Sequence, residues 1–271
     1  MLRVHLFGAF KLNPTAPAQV ALGTTTRRLA SYLFSYPNEM HRREKLIDIV
    51  WGEADASRAR AGLSNSLWHI RQALSSEVQS TLALKANSYE VCLELADTTV
   101  VDIHRFCSSI RKLLATNSTS SDLDSLEHAM SLYTAPFLEE YDDDWVLDLR
   151  ERLQSLYLPV LMHIMRSRAQ QGRYEDALLY GRRTLTSDPM RESVQRSVML
   201  LYVLNGQRVE AIRQFKRCAK AIRSECDVDP MPETSGLYEL IRSNEIFKRL
   251  HALAESEFGT TQESPRPNWQ L

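Results

Sequence analysis

Leu2, Val4 and Leu6 alternate with Arg3 and His5, the period of two expected of a strand with one buried face. Phe10 with Leu12, and Val20 with Leu22, predict further short strands, broken by Asn13-Pro14-Thr15-Ala16-Pro17. Residues 1–23 therefore read as a small antiparallel sheet. The period then lengthens. Leu29, Leu33 and Tyr36 mark one face of a helix that Thr24 to Thr26 can cap and Pro37-Asn38 ends. A second helix from about His41 to Trp51 turns Leu46, Ile49 and Val50 inward and stops at Gly52. A third begins after Asp55, its apolar stripe formed by Leu63, Leu67, Ile70 and Leu74. Leu82 to Lys85 and Tyr89 to Leu93 flank Asn87-Ser88 as a hairpin flanks its turn.

From Asp102 the pattern is helical, interrupted by the polar run Asn117 to Ser121 and by Ala135-Pro136. Gln171-Gly172-Arg173-Tyr174-Glu175-Asp176-Ala177-Leu178 aligns with Asn205-Gly206-Gln207-Arg208-Val209-Glu210-Ala211-Ile212, an offset of 34 residues. That is the tetratricopeptide period. The glycines and alanines are expected where two helices pack closely, with the helices of 105–160 completing the stack. Asp188-Pro189 closes the first repeat, and the second runs on to Asp229-Pro230. The predicted fold class is α+β then all-α: residues 1–97 a sheet, three helices and a hairpin, residues 98–253 a tetratricopeptide-like helical repeat domain, and residues 254–271 a flexible tail.

Charge changes this picture little at the scale of the whole chain, where 33 basic and 34 acidic residues give a net charge of −1. Any nucleic-acid contact must come from a local patch. One exists: residues 24–89 hold nine basic and six acidic side chains. The apolar fraction of 44% is enough for packed cores and excludes a disordered chain. No continuous apolar run follows Met1, and none approaches a membrane span, so a cytoplasmic protein without membrane contact is expected. Cys92, Cys107, Cys218 and Cys226 form no CxxC pair and read as reduced thiols. The seven histidines are scattered, and HExxH, GxGxxG and GxSxG are all missing, so neither enzymatic activity nor a cofactor is expected. Asp142-Asp143-Asp144 reads as a helix cap before Trp145.

The third helix has a face left over once its stripe is buried. Arg60, Ser64, Trp68, Arg71 and Gln72 lie on it, with Asn65, Ser66 and His69 nearby. These side chains have the length and hydrogen-bonding groups that read base edges. An exposed tryptophan among them calls for a partner. Arg27, Arg28, Arg42, Arg43 and Lys45 at helix starts, and Lys85 at the hairpin tip, would anchor phosphates. The order sheet, helices, hairpin is that of a winged helix-turn-helix.

Several segments carry a family resemblance. Leu6-Phe7-Gly8 and Arg42-Arg43-Glu44-Lys45-Leu46-Ile47-Asp48-Ile49-Val50-Trp51-Gly52 resemble the winged helix of OmpR/PhoB-type response regulators. The match continues through Ala61-Gly62-Leu63, Ile70-Arg71-Gln72-Ala73-Leu74 and Ala86-Asn87-Ser88-Tyr89 into the related Streptomyces antibiotic regulatory protein family. Tyr133 to Leu138, Trp145, Gly172 to Leu178 and Asp229 to Thr234, followed by Leu237-Tyr238, are similar to that family's bacterial transcriptional activator domain. The resemblance implies an activator that binds promoter repeats in double-stranded DNA, as a homodimer side by side, and recruits RNA polymerase through its sigma factor. It implies phosphate contacts at Trp51, Ser66 and Arg71, groove contacts at Ser64, Trp68 and His69, and wing contacts at Lys85 and Tyr89. Two departures stand out. Trp68 and His69 replace residues often basic in the relatives, and Ser88 replaces the wing glycine, so a weaker affinity or a different target sequence is expected. His69 would add mild pH sensitivity to binding. Neither a Walker motif nor a preceding phosphoacceptor domain is expected. The competing function is a protein-binding adaptor whose repeat domain does the work and whose winged helix docks or dimerises.

Overall fold

The computed structural model describes residues 2–13, 22–52, 54–74, 82–96, 98–115 and 121–259. The predicted strand residue Val20, the polar run 117–120 and the tail from residue 260 lie outside them. By internal contacts the chain divides into two compact units, Met1–Leu156 and Tyr157–Leu271.

In the first unit β1 (Arg3–His5) pairs antiparallel with β2 (Lys11–Asn13), Val4 opposite Leu12. The alternation of Leu2, Val4 and Leu6 is matched by their burial, each at 2% exposure or less. The third strand comes from far along the chain: β6 (Val100–Val101) runs parallel to β1, giving the order β2-β1-β6. Helix α1 (Thr24–Ser35) follows, its cap position taken by Gly23 with no side-chain capping bond. His41 and Arg42, predicted as the first turn of the second helix, instead form strand β3, with His41 opposite Val91. The His41 ring is held by the Tyr36 carbonyl at 2.9 Å, which leaves α2 to start at Arg43 and run to Trp51. Helix α3 (Ala56–Leu74) is followed by the hairpin of β4 (Leu82–Ala86) and β5 (Glu90–Leu95), and β3 completes a second sheet in the order β3-β5-β4. This is a winged helix-turn-helix with the hairpin as its wing.

Helices α4 (Asp102–Ala115) and α5 (Ser121–Leu132) pack on each other, and α4 packs on β1 and β6. They were expected to extend the helical repeats, but they fall within the first unit. The reason is chemical as well as apolar. The buried Asp102 carboxylate accepts the backbone N–H of Leu6 at 2.9 Å, of Phe7 at 3.0 Å and of Ile103 at 2.7 Å. Phe7 then packs edge-on to Phe106. Arg150 donates to the carbonyls of Phe137, Leu138 and Tyr141, and fixes the chain just ahead of α6 (Asp144–Gln170).

The second unit holds the rest of α6 and then α7 (Tyr174–Ser187), α8 (Glu192–Leu204), α9 (Arg208–Cys226), α10 (Pro232–Arg242) and α11 (Ile246–Phe258). Helices α7 to α10 pack in sequence, each on the next. Ala177 and Ala211 are fully buried, as close packing requires. Gly172 and Gly206 act differently from the expectation: both have positive φ, 71° and 72°, with no atom within 4 Å of an added Cβ, so they permit the left-handed turn between helices. The close approach is at Gly181, where a Cβ would fall 2.6 Å from Val198 Cγ2. Helix α11 continues past Leu253 to Phe258, whose ring is buried, so residues 254–258, expected in the tail, are helical.

Candidate nucleic-acid interface

Asp55 starts α3. Its Oδ1 accepts from the Ser57 hydroxyl at 2.6 Å and from the N–H groups of Ser57 and Arg58 at 3.0 Å, satisfying donors the first turn leaves open. Those bonds, the hydroxyl's first, hold its carboxyl below the usual aspartate range. Leu63, Leu67, Ile70 and Leu74 are buried as their spacing predicts. Arg60, Ser64, Asn65, Trp68, Arg71 and Gln72 are exposed on the other side, and Trp68 keeps 53% of its surface in solvent. His69 is half-buried, its ring edge-on to Trp68 at 4.9 Å.

Ser66 does not belong to this face. It is only 4% exposed and receives a hydrogen bond from the Thr26 hydroxyl at 3.1 Å. One helical position is 100° of rotation, so Ser66 turns toward α1 while its neighbour Asn65 faces solvent. The sequence did not separate them because serine is compatible with either side.

Arg43 joins three elements. From the first turn of α2 it donates to the Ser64 hydroxyl on α3 at 2.9 Å and to the Asn87 carbonyl in the wing at 3.5 Å. Arg71 makes a second tie, from α3 to the Leu84 carbonyl of β4 at 3.3 Å. The wing turn is self-supporting: Asn87 Oδ1 accepts the N–H groups of Tyr89 and Glu90, each at 2.8 Å. Ser88 is not among the positive-φ residues, so its replacement of glycine introduces no backbone strain. Tyr89 stands at the tip with 81% of its surface exposed. Trp51 is half-buried and lies on Gly62, where an added Cβ would come within 2.8 Å of its indole nitrogen. It closes α2 onto α3.

The cationic set is smaller than the sequence suggested. Arg28 pairs with Asp143, Arg27 with Glu140, and Lys85 with Glu94. The Lys45 ammonium sits over the Tyr32 ring. Among the described residues Arg42 and Arg60 have no ion-pair partner, and with Arg43 and Tyr89 they line a cleft of about 520 Å³ beside the wing. The sequence offered no signal for Arg43 as a tie rather than a free cation, because its partners lie 21 and 44 residues away. Among the described residues no helix is long and apolar enough to cross a membrane. No cluster of three or more His, Cys, Asp or Glu among them is placed to hold a metal ion.

A bacterial transcriptional activator domain matches residues 101–242, more than half of the 271 residues, and the chain belongs to that family of transcriptional regulators. Transcriptional regulatory protein MoaR1 of Mycobacterium tuberculosis is 24% identical over 247 residues, covering 89% of this chain and 79% of MoaR1. Regulatory protein AfsR of Streptomyces coelicolor is 26% identical over 221 residues, 80% of this chain; the chain spans only 21% of AfsR. Among solved structures, Mycobacterium tuberculosis EmbR in complex with a low affinity phosphopeptide superposes with a TM-score of 0.68 at 20% identity, over 94% of this chain and 69% of that one. That likeness is one of fold: a winged helix followed by a helical domain. The resemblance to Streptomyces antibiotic regulatory proteins and the α+β then all-α class both stand.

Proposed function

We propose that this chain is a sequence-specific regulator that binds double-stranded promoter DNA through α3 and its wing and activates transcription by recruiting RNA polymerase. The observation that carries the reading is the exposed face of α3. Ser64, Asn65, Trp68 and Gln72 present groups of base-reading length, flanked by Arg60 and Arg42 as phosphate anchors. Arg43 and Arg71 orient that face relative to the wing. Trp51, His69, Lys85 and Tyr89 complete the contact set, and Ser66 drops out of it. Regulatory relatives along most of the chain support the same reading, as they do a non-enzymatic role and a location with the transcription machinery. Binding as a homodimer to paired half-sites, and contact with a sigma factor, belong to the proposal.

The test is selection of a random duplex pool by the purified chain at two salt concentrations, followed by sequencing. An enriched motif, lost with Arg60→Ala, supports the reading and gives the half-site spacing. Arg60 is a cleaner probe than Arg71, whose guanidinium also supports β4. Absence of enrichment at both salt concentrations overturns it in favour of the adaptor, a reading that gains weight from the internal pairing of Arg27, Arg28 and Lys85.

A further inference from the structure

A cleft of about 780 Å³ opens within the first unit, on the α1 and α2 side of the winged helix. That volume lies in the range of small-molecule sites. Its walls combine two chemistries. Tyr32, Tyr36, Trp51 and Trp145 supply aromatic surface. Trp145 is set edge-on to Tyr32 at 5.1 Å and to Phe137 at 6.1 Å, so ring packing fixes its orientation. The charged lining is unbalanced: five carboxylates, Glu39, Asp48, Asp143, Asp144 and Asp148, face two cations, Arg28 and Lys45. Asp143 is taken by Arg28. Glu39, Asp48, Asp144 and Asp148 are exposed and make no ion pair among the described residues.

Aromatic faces beside uncompensated carboxylates attract organic cations, the ring through its quadrupole and the carboxylate through its charge. The cleft already holds such a contact, where the Lys45 ammonium lies 6.0 Å from the Tyr32 ring centroid. We propose that this cleft binds a small organic cation, an alkylammonium or guanidinium compound, with its charge directed to Asp144 and Asp148 and its apolar part against the aromatic wall. The cleft opens away from the exposed face of α3 and shares only Trp51 with the proposed DNA contact set, and Asp144 and Asp148, which receive the charge, lie outside that set.

The test is isothermal titration of the full chain with choline and with agmatine, against 3,3-dimethyl-1-butanol as the neutral isostere of choline. Saturable binding of at least one cation is expected, with the isostere weaker by about tenfold or more. Asp144→Asn with Asp148→Asn should weaken the cation by a similar factor, whereas Glu225→Gln, on α9, should leave it unchanged. Circular dichroism checks that the double variant is folded; a misfolded one is replaced by Asp148→Asn alone, with the same expectation. No saturable heat from either cation, or equal binding of the isostere, overturns the proposal. So does equal weakening by Glu225→Gln, which marks a diffuse ionic effect. A short lysine-rich peptide binding tenfold more tightly than both cations would also overturn it, and identify the cleft as a protein-docking site.

Discussion

Arg43 holds Ser64 by a 2.9 Å hydrogen bond, from the first turn of α2 to the exposed face of α3. Its other terminal nitrogen reaches the wing at the Asn87 carbonyl. In the proposed reader, α3 and the wing need a fixed relative position, which this guanidinium helps to supply together with the Arg71 tie to Leu84. Arg43→Ala should therefore lower DNA affinity by about tenfold, the worth of a charged hydrogen bond. The melting temperature should change little by comparison, because Arg43 is half-buried and both of its side-chain hydrogen bonds are open to solvent. Titration of a selected duplex alongside a thermal melt checks both. Arg43→Lys should recover little, since one ammonium cannot span both acceptors in the guanidinium's fork geometry.

Arg60 and Trp68 should separate in their salt dependence. Arg60 lines the wing cleft and has no ion-pair partner among the described residues. Its loss should reduce the log–log salt slope by about one and weaken all sequences alike. Trp68→Ala should leave the slope unchanged and relax the selected motif, because an indole contributes no counterion release. Binding isotherms at four salt concentrations, followed by repeat selection with each variant, distinguish the two roles.

Gly62 admits Trp51. A Cβ there would meet three atoms of the indole at 2.8–3.1 Å. Gly62→Ala should displace the ring from α3 at a cost of about 1–3 kcal/mol. A shift in tryptophan emission should accompany weaker DNA binding, while Ala61→Ser, one position away and exposed, should do neither.

Local periodicity carried the first unit's elements well. Leu63, Leu67, Ile70 and Leu74 are buried, and Asn87-Ser88 forms the wing turn. Features set by distant partners were not legible. The third strand of the first sheet, Val100–Val101, joins Arg3 and Val4 across almost a hundred residues, and two residues carry no period. The capture of α4 by β1 depends on the Asp102 carboxylate, indistinguishable in sequence from any helix-capping aspartate. At the interface the exposed face of α3 was visible from its stripe. Which basic side chains remain free was not, because Glu140, Asp143 and Glu94, which occupy Arg27, Arg28 and Lys85, are placed by tertiary structure.

Removing that carboxylate should be costly. Asp102→Ala leaves the Leu6 and Phe7 N–H groups without their acceptor in a buried setting. The expected loss is about 3 kcal/mol. Asp102→Asn should lose less, keeping one acceptor oxygen. Denaturant unfolding of the two variants gives the order directly.

The pH dependence of stability should carry a histidine signature with a definite sign. His104 donates its Nε2–H to the Phe34 carbonyl at 2.9 Å, a bond the neutral ring makes without a charge to bury. Burial pushes its pKa below the ordinary 6.5, outweighing that bond and the nearby Asp102. The folded state therefore binds this proton less readily than the unfolded chain. Its contribution to stability is complete above pH 6.5 and falls as the pH drops toward the folded value, by at most about 1.4 kcal/mol per pH unit for one proton. Asp102 acts in the opposite direction: burial raises its pKa, so its contribution is greatest below the unfolded aspartate value and lost as pH rises through the folded one. His104→Gln keeps a donor for the Phe34 carbonyl and cannot titrate. Its unfolding free energy should fall less steeply than that of the parent between about pH 6.5 and 5, and an unchanged slope in urea melts across that window would show that His104 is not the group responsible.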